Sequence, residues 1–486
     1  MKKRYVLLSI IVDLLMIGLI PLNLFVLSMP EWVMIVVAVI LVGILVLFYM
    51  KGNGRLCSKT LLSLLTIVSC ITVLFGSYCN PYWNSVMFRG GPDTLVYDTE
   101  ITYEEAKADI DCAMQDLRKT HPAFQNGIPM EVEQEYQNVM TQFQAAETID
   151  VALVKQKLQQ ILSGLGDGHT CSYTVFQQYH YLKDIYPRSQ ENWQLVQVNG
   201  MTLEQLLEEY NSLYCYEVES WGIHMLKQDL STLEGLTFLK IPMENGIDYT
   251  YENPQGLQET VTYYAEDYVT YEEYMALNQI SESEDTPFVS YSIDEDRSLA
   301  LLTLTSCQYN EVYRNCLKEM FTEVQEKGIQ HVAVDIRDNG GGNSLVVNEF
   351  IRYLETESYQ VETSVWRLGC FRLPLGSGTV QNKKYTDLTF SGDVYVLTSV
   401  GSFSSAMMFA EYMKDNQLGT IIGEAPGNTP SGYGDISVFR LPNTGLFMQV
   451  STKEFYRADT NTQELLVEPD IECDADDALE ILYQQL

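Results

Sequence analysis

Three long apolar runs open the chain, at 5–28 (interrupted by Asp13 and Pro21), 32–50 and 60–78. Each approaches the roughly 20 residues a helix needs to cross a bilayer. Their succession, with no small-residue cleavage pattern after the first, argues against a removed signal peptide. We therefore expect three transmembrane helices within residues 1–80. Lys2-Lys3-Arg4 and Lys51, Arg55 and Lys59 flank the runs on one side, while the Ser28–Glu31 link carries no base. Basic loops stay in the cytoplasm, so three spans leave everything past about residue 80 outside, and two would leave it inside.

Residues 81–100 read as a linker, with Pro81 and Gly90-Gly91-Pro92. A 3.6-residue period then runs through 101–165 and predicts a helical cap: Tyr103 to about Lys119, stopped at His121-Pro122, then Met130–Ala146 and Asp150–Ser163. Residues 166–295 are mixed: a glycine turn at 164–170, a strand over Gln194–Val198, a helix over Leu203–Leu213, and strands over 260–275 and 288–292. From 296 to 486 strands alternate with helices. Strands are expected at Leu299–Leu304, Val332–Ile336, Val394–Thr398, Thr420–Gly423, 436–441 and 446–451, and helices at Val312–Lys327, Leu345–Glu355 and Ala406–Lys414. That alternation predicts an α/β core on a mixed, partly parallel sheet, with chemistry at the C-terminal ends of its strands.

Composition narrows the function. Of the formal net charge of −35, residues 1–90 carry +5, leaving −40 for the remainder. So acidic a body repels phosphates, which excludes nucleic acid as a partner. The ten cysteines include no CxxC pair, and buried free thiols are the expectation.

Three stretches can carry chemistry. Gly401-Ser402-Phe403-Ser404-Ser405-Ala406 lies at a strand-to-helix corner, where a hydroxyl can be exposed and free N–H groups can face negative charge. Alone it equally suits a serine helix cap. Asp335-Ile336-Arg337-Asp338-Asn339-Gly340-Gly341-Gly342 follows an apolar strand and lacks the spacing of a phosphate loop. Its N–H groups can hold an oxyanion, or it can serve as a tight turn. His169 is the one of five histidines set in a glycine-rich loop, Gly166-Asp167-Gly168-His169-Thr170. No HExxH or second histidine at ligand spacing points to a metal, and no cofactor is expected.

Taken in order, the Gly-Asp-Gly-His-Thr loop, the D-x-R-x-N-x-G-G turn and the serine corner followed by Gly423-Glu424-Ala425-Pro426 resemble the tail-specific (C-terminal processing) peptidase family. The resemblance spans about residues 100–475 and implies a crotonase-like peptidase core. It aligns the nucleophile with Ser404, five residues before Phe409-Ala410, with Ser405 as fallback. The family's Ser/Lys branch carries its lysine shortly after Gly-Glu-x-Pro, where this chain has Gly427-Asn428-Thr429-Pro430-Ser431. The resemblance is therefore to the tricorn-core branch. It makes His169 the base, a carboxylate before Val467-Glu468-Pro469-Asp470 the orienting group (Glu464, or Asp459), and the N–H groups of Gly341 and Ser405 the oxyanion hole. Family members often carry a PDZ domain. Here only Val198-Asn199-Gly200 suggests a PDZ-like remnant, without a carboxylate-binding loop, so tail specificity is not expected.

The expectation is a multi-pass cell-membrane protein whose extracytoplasmic body is a serine-type endopeptidase acting on peptides or proteins. The alternatives are a catalytically silent relative that binds peptides or ligands, and a scaffold subunit of a membrane complex. The oligomeric state has no signature in the sequence.

Overall fold

The computed structural model describes residues 81–183, 193–278, 287–369, 371–376 and 378–486, with isolated helical positions at 11, 36, 39–40, 42–44, 46–47, 60 and 63–70. The three apolar runs expected to span a membrane fall largely outside the described residues. Among those described, no helix is long and apolar enough to cross one.

The cap forms as its periodicity predicts. Thr102 and Glu105 make a capping box at the start of α1 (Tyr103–Thr120): the Glu105 N–H donates to Thr102 Oγ1 at 3.2 Å and the Thr102 N–H to Glu105 Oε2 at 2.9 Å. Two amides that a helix start leaves open are thereby satisfied. Ala106, Ile110, Ala113 and Leu117 share one face and are buried with residues of α2 (Met130–Ala145) and α3 (Val151–Ser163).

The 166–295 region holds β1 (Cys171–Tyr173), β2 (Gln194–Val198), α4 (Leu203–Tyr210), α5 (Glu219–Leu230), β3 (Ile247–Glu252) and β4 (Gln258–Tyr263). Met201–Thr202, β2, β3 and β4 make a four-stranded antiparallel sheet. The strand expected over 260–275 is broken: β4 ends at Tyr263, the short strand Tyr268–Thr270 pairs with His180–Leu182, and Thr270 and Glu273 form a capping box that makes Tyr271–Leu277 a helix.

The core is built from β5 (Val289–Asp294), β6 (Leu299–Leu304), α6 (Glu311–Lys327), β7 (His331–Asp335), α7 (Leu345–Ile351), β8 (Thr363–Leu368), β9 (Phe371–Leu375), β10 (Asp393–Thr398), α8 (Ser405–Asp415), β11 (Thr420–Gly423), β12 (Gly432–Arg440), β13 (Phe447–Tyr456), β14 (Ile471–Glu472) and α9 (Ala478–Gln485). The central sheet runs β5-β6-β7-β10-β11-β14, antiparallel at β5/β6 and parallel elsewhere. Both faces are covered. Val332 and Val334 of β7 pack with Phe409 of α8 and Phe321 of α6, while Ala333 packs with Ala478 and Leu482 of α9. Two covered faces explain the unbroken apolar runs of these strands.

Two expectations change. The strands placed at 436–441 and 446–451 are longer and belong to a second sheet, β9-β8-β13-β12, with β1 also paired to β13. The β8–β9 hairpin carries no sequence signal because β9 is exposed along its length and has no buried face to enforce alternation. α7 ends at Ile351 rather than Glu355.

Candidate active site

β7 and β10 are parallel neighbours, with Asp335 opposite Leu397, so the glycine turn and the serine corner leave the sheet at the same edge. Hydrogen bonds stitch the two loops: Ser402 Oγ donates to Ile336 O at 2.8 Å, and the Phe403 N–H donates to Asn339 O at 3.0 Å. Ser404 stands immediately before α8 with φ of 57°, an unfavourable backbone state for a residue with a Cβ. Its N–H donates to Asn428 Oδ1 at 2.6 Å, and Ser405 Oγ donates to Gly342 O at 2.9 Å. Gly341 has φ of 102°, and a Cβ there would lie 2.7 Å from Ser404 Cβ and from Phe403 O. Only glycine allows that approach.

Of the expected oxyanion donors, Ser405 offers an N–H without an acceptor among the described residues. The Gly341 N–H is already donated to Asn339 Oδ1 at 2.9 Å. The N–H of the next residue, Gly342, has no acceptor among the described residues.

His169 lies 235 residues before Ser404 and reaches it through the second sheet. β1, two residues after His169, pairs with β13, and the Ser451 N–H donates to Thr170 Oγ1 at 3.0 Å. Asp167 anchors the loop from within. Its oxygens accept from the His169 N–H at 2.9 Å and Thr170 Oγ1 at 2.6 Å, and lie 3.0 Å from His121 Nε2. Burial alone would raise the Asp167 carboxyl, but the hydrogen bond and charge interaction with His121, helped by His169 and Thr170, hold it well below the usual range. The His169 ring lies 4.6 Å from that of Phe403, which stacks at 4.1 Å on Trp221. Its Nδ1 is buried without a hydrogen bond, 3.9 Å from Asp167 Oδ1. Burial holds the imidazole below its ordinary pKa, only partly countered by Asp167 and Asp435.

His169, Gly342, Ser404, Ser405 and Asn428 line one cavity of about 490 Å³. Ser404 and His169 share it with no hydrogen bond between them. Glu464 does not line it: its Oε2 sits 3.5 Å from Arg457 Nη2 and 3.9 Å from Lys414 Nζ. Asp459 lies outside it as well, its Oδ1 accepting from the Asn461 N–H.

The carboxylates beside the histidine are others. Asp167, His169 and Glu217 bring ligand-type atoms within 4.8 Å of one another. Glu217 Oε2 accepts from the Thr429 N–H and Oγ1 at 2.8 and 2.7 Å, while Oε1 is buried and unpartnered. Burial pushes this carboxyl up to about 7, against the lowering effect of the Thr429 bonds. The trio is the group among the described residues with a metal-like arrangement, but both Asp167 oxygens are already engaged by protein donors. Three further residues of the cavity wall escaped sequence reasoning: Glu362, and the Asp435–Lys453 ion pair at 2.5 Å. Asp167 could have been found from its place in the histidine's own loop; Glu217, on the turn before α5, has no local signal.

Residues 298–473 match the family model for peptidase family S41. The match includes the glycine turn and Ser404 but not His169. No curated protein matches the sequence. Among solved structures, mature CPAF complexed with lactacystin is 13% identical, with a TM-score of 0.55 over 79% of this chain and 96% of that one. A CPAF mutant gives 0.56 at 14% identity over 79% and 95%. At such identity the likeness concerns the fold. Within residues 298–473, which hold the glycine turn and the serine corner, the chain is thus similar to peptidase family S41, a tail-specific protease-like family.

Proposed function

We propose that the protein is a membrane-anchored serine endopeptidase that cleaves peptide bonds through Ser404, with His169 as its base. The observation that carries this reading is the convergence of a strained, half-buried serine, two N–H groups without an acceptor among the described residues and a buried neutral imidazole on one cavity. The match of residues 298–473 to the model for peptidase family S41 supports serine peptidase chemistry. With Nδ1 turned toward Asp167, Nε2 is the nitrogen left for the serine. As Ser404 Oγ attacks the substrate carbonyl, its proton passes to His169. The tetrahedral oxyanion is received by the N–H groups of Ser405 and Gly342, a kind of contact whose loss typically costs roughly 10²–10³ in turnover. The C–N bond then breaks and His169 returns the proton to the departing amine. Water, activated by the same imidazole, hydrolyses the acyl-enzyme. Asp167 and Glu217 are the groups placed to orient His169.

A lysine base is the competing chemistry, because Lys453 lines the cavity. Its ammonium is ion-paired with Asp435, which leaves no lone pair to accept the serine's proton. The purified full-length protein should be labelled by a fluorophosphonate, and Ser404→Ala should abolish labelling. His169→Ala should slow it at least ~100-fold, and Lys453→Met should change it less than ~10-fold. Absent labelling of folded wild type, or normal labelling of Ser404→Ala, rejects Ser404 as nucleophile. Loss of labelling in Lys453→Met alone transfers the base role to that lysine.

A further inference from the structure

The wall of the catalytic cavity contains one carboxyl group that neither the fold nor the chemistry above uses. Glu362 sits between Gln360, the last residue of the short strand Ser358–Gln360, and β8, and lines the same cavity as Ser404 and His169. Its Oε2 is buried and has no hydrogen-bond partner. An acid in such a place costs stability unless a partner arrives.

The cavity's other charges do not supply one. Lys453 is the cation that faces the cavity, and it is committed to Asp435 at 2.5 Å. Burial, only partly countered by Lys453, pushes the Glu362 carboxyl up to about 7. The same cavity, polar over most of its lining, also presents the apolar side chains of Leu375, Met407, Met408 and Phe455. One unanswered carboxyl in a cavity that also offers these apolar side chains suits an aliphatic stem that ends in a cation, the shape of a lysine or arginine side chain.

Resting on the peptidase reading above, we propose that Glu362 makes this cavity a subsite for a basic side chain, so that the enzyme selects substrates with arginine or lysine next to the bond it cuts. The incoming cation pairs with Glu362 and meets the hydrogen-bonding need of the buried oxygen. A neutral side chain of equal length fills the same space but leaves the acid unanswered. Specificity then comes from the cost of that unpaired group, which discriminates more sharply than apolar fit does.

Binding tests this without relying on turnover. In full-length Ser404→Ala protein, fluorescent octapeptides that differ only in one residue, arginine, citrulline or norleucine, are titrated and followed by anisotropy. Arginine should bind at least ~10-fold tighter than citrulline or norleucine, as expected when an ion pair replaces an unpartnered buried carboxyl. Adding Glu362→Gln should reduce that preference to within ~3-fold, while thermal melting shows the variant still folded. Equal binding of the three peptides, no binding of any, or a preference that survives Glu362→Gln overturns the proposal. If the arginine preference holds while the wild type resists fluorophosphonate, the subsite stands and the peptidase reading falls. If labelling succeeds while the preference is absent, the reverse follows.

Discussion

Ser404 holds a backbone angle that costs a residue with a side chain on the order of 1–3 kcal/mol. It is kept there by Asn428 Oδ1 on its own N–H and by the close backing of Gly341. His169 is held differently, by the Asp167 carboxylate on its backbone N–H and by Phe403 against its ring. This environment predicts a pH profile. Burial lowers the imidazole's pKa, so protonation, and with it loss of the base, begins only below the ordinary histidine value of about 6.5. The acid limb of fluorophosphonate labelling should therefore lie below about pH 6.5, with full reactivity at neutral pH. A limb clearly above that value would show that another group acts as base. In stability the sign is parallel: the unfolded chain takes the proton first, so the contribution of His169 is lost as pH falls below about 6.5.

Among the elements, α8 follows directly on the strained Ser404. It presents Ser405 to the cavity at its first turn and buries Ala406, Phe409 and Ala410 against the sheet. Its far half also holds acids: Asp415 makes a bidentate pair with Arg457 at 2.7 and 3.0 Å, and Glu411 Oε1 accepts the Ala458 N–H at 2.8 Å. Those contacts tie the helix to the chain after β13. Glu411 Oε2 has no partner, and burial, reinforced by Asp415 and Glu362, pushes its carboxyl up to about 8. The folded state therefore keeps a proton that the unfolded chain loses near pH 4.5. Stability from this group falls as pH rises from there to about 8. Glu411→Gln retains the acceptor for Ala458 and has nothing to ionise. Its urea-unfolding free energy should match wild type near pH 4 and exceed it at pH 8, on the order of a few kcal/mol given about 1.4 kcal/mol per pKa unit. An equal or smaller value at pH 8 would contradict the burial account.

For the whole molecule, membrane topology decides what the site can meet. If the basic flanks of the apolar runs stay in the cytoplasm, three spans put the body outside. Protease added to intact cells should then digest the chain beyond about residue 80. Protection until the cells are permeabilised would mean two spans and a cytoplasmic enzyme. The body is strongly acidic, with −40 of formal charge beyond residue 90. Cationic substrates are drawn to such a surface, an effect that salt screens.

Periodicity alone determined the three cap helices, the buried strands β6, β7 and β10, and the partly parallel character of the core, because burial imposes its period directly on neighbouring residues. The order of the glycine turn, serine corner and Gly-Asp-Gly-His loop determined the family resemblance and singled out Ser404 and His169. Tertiary structure alone decided that these loops share a cavity: the parallel pairing of β7 with β10 and of β1 with β13 joins residues hundreds of positions apart, and no local pattern encodes such pairings. It also decided which carboxylates lie beside the histidine and the cavity. Glu464 fits the expected spacing but is drawn to Arg457 and Lys414 outside the cavity, whereas burial raises Glu217 and Glu362 and the contact with His121 lowers Asp167, effects that exist only once the chain has folded around them.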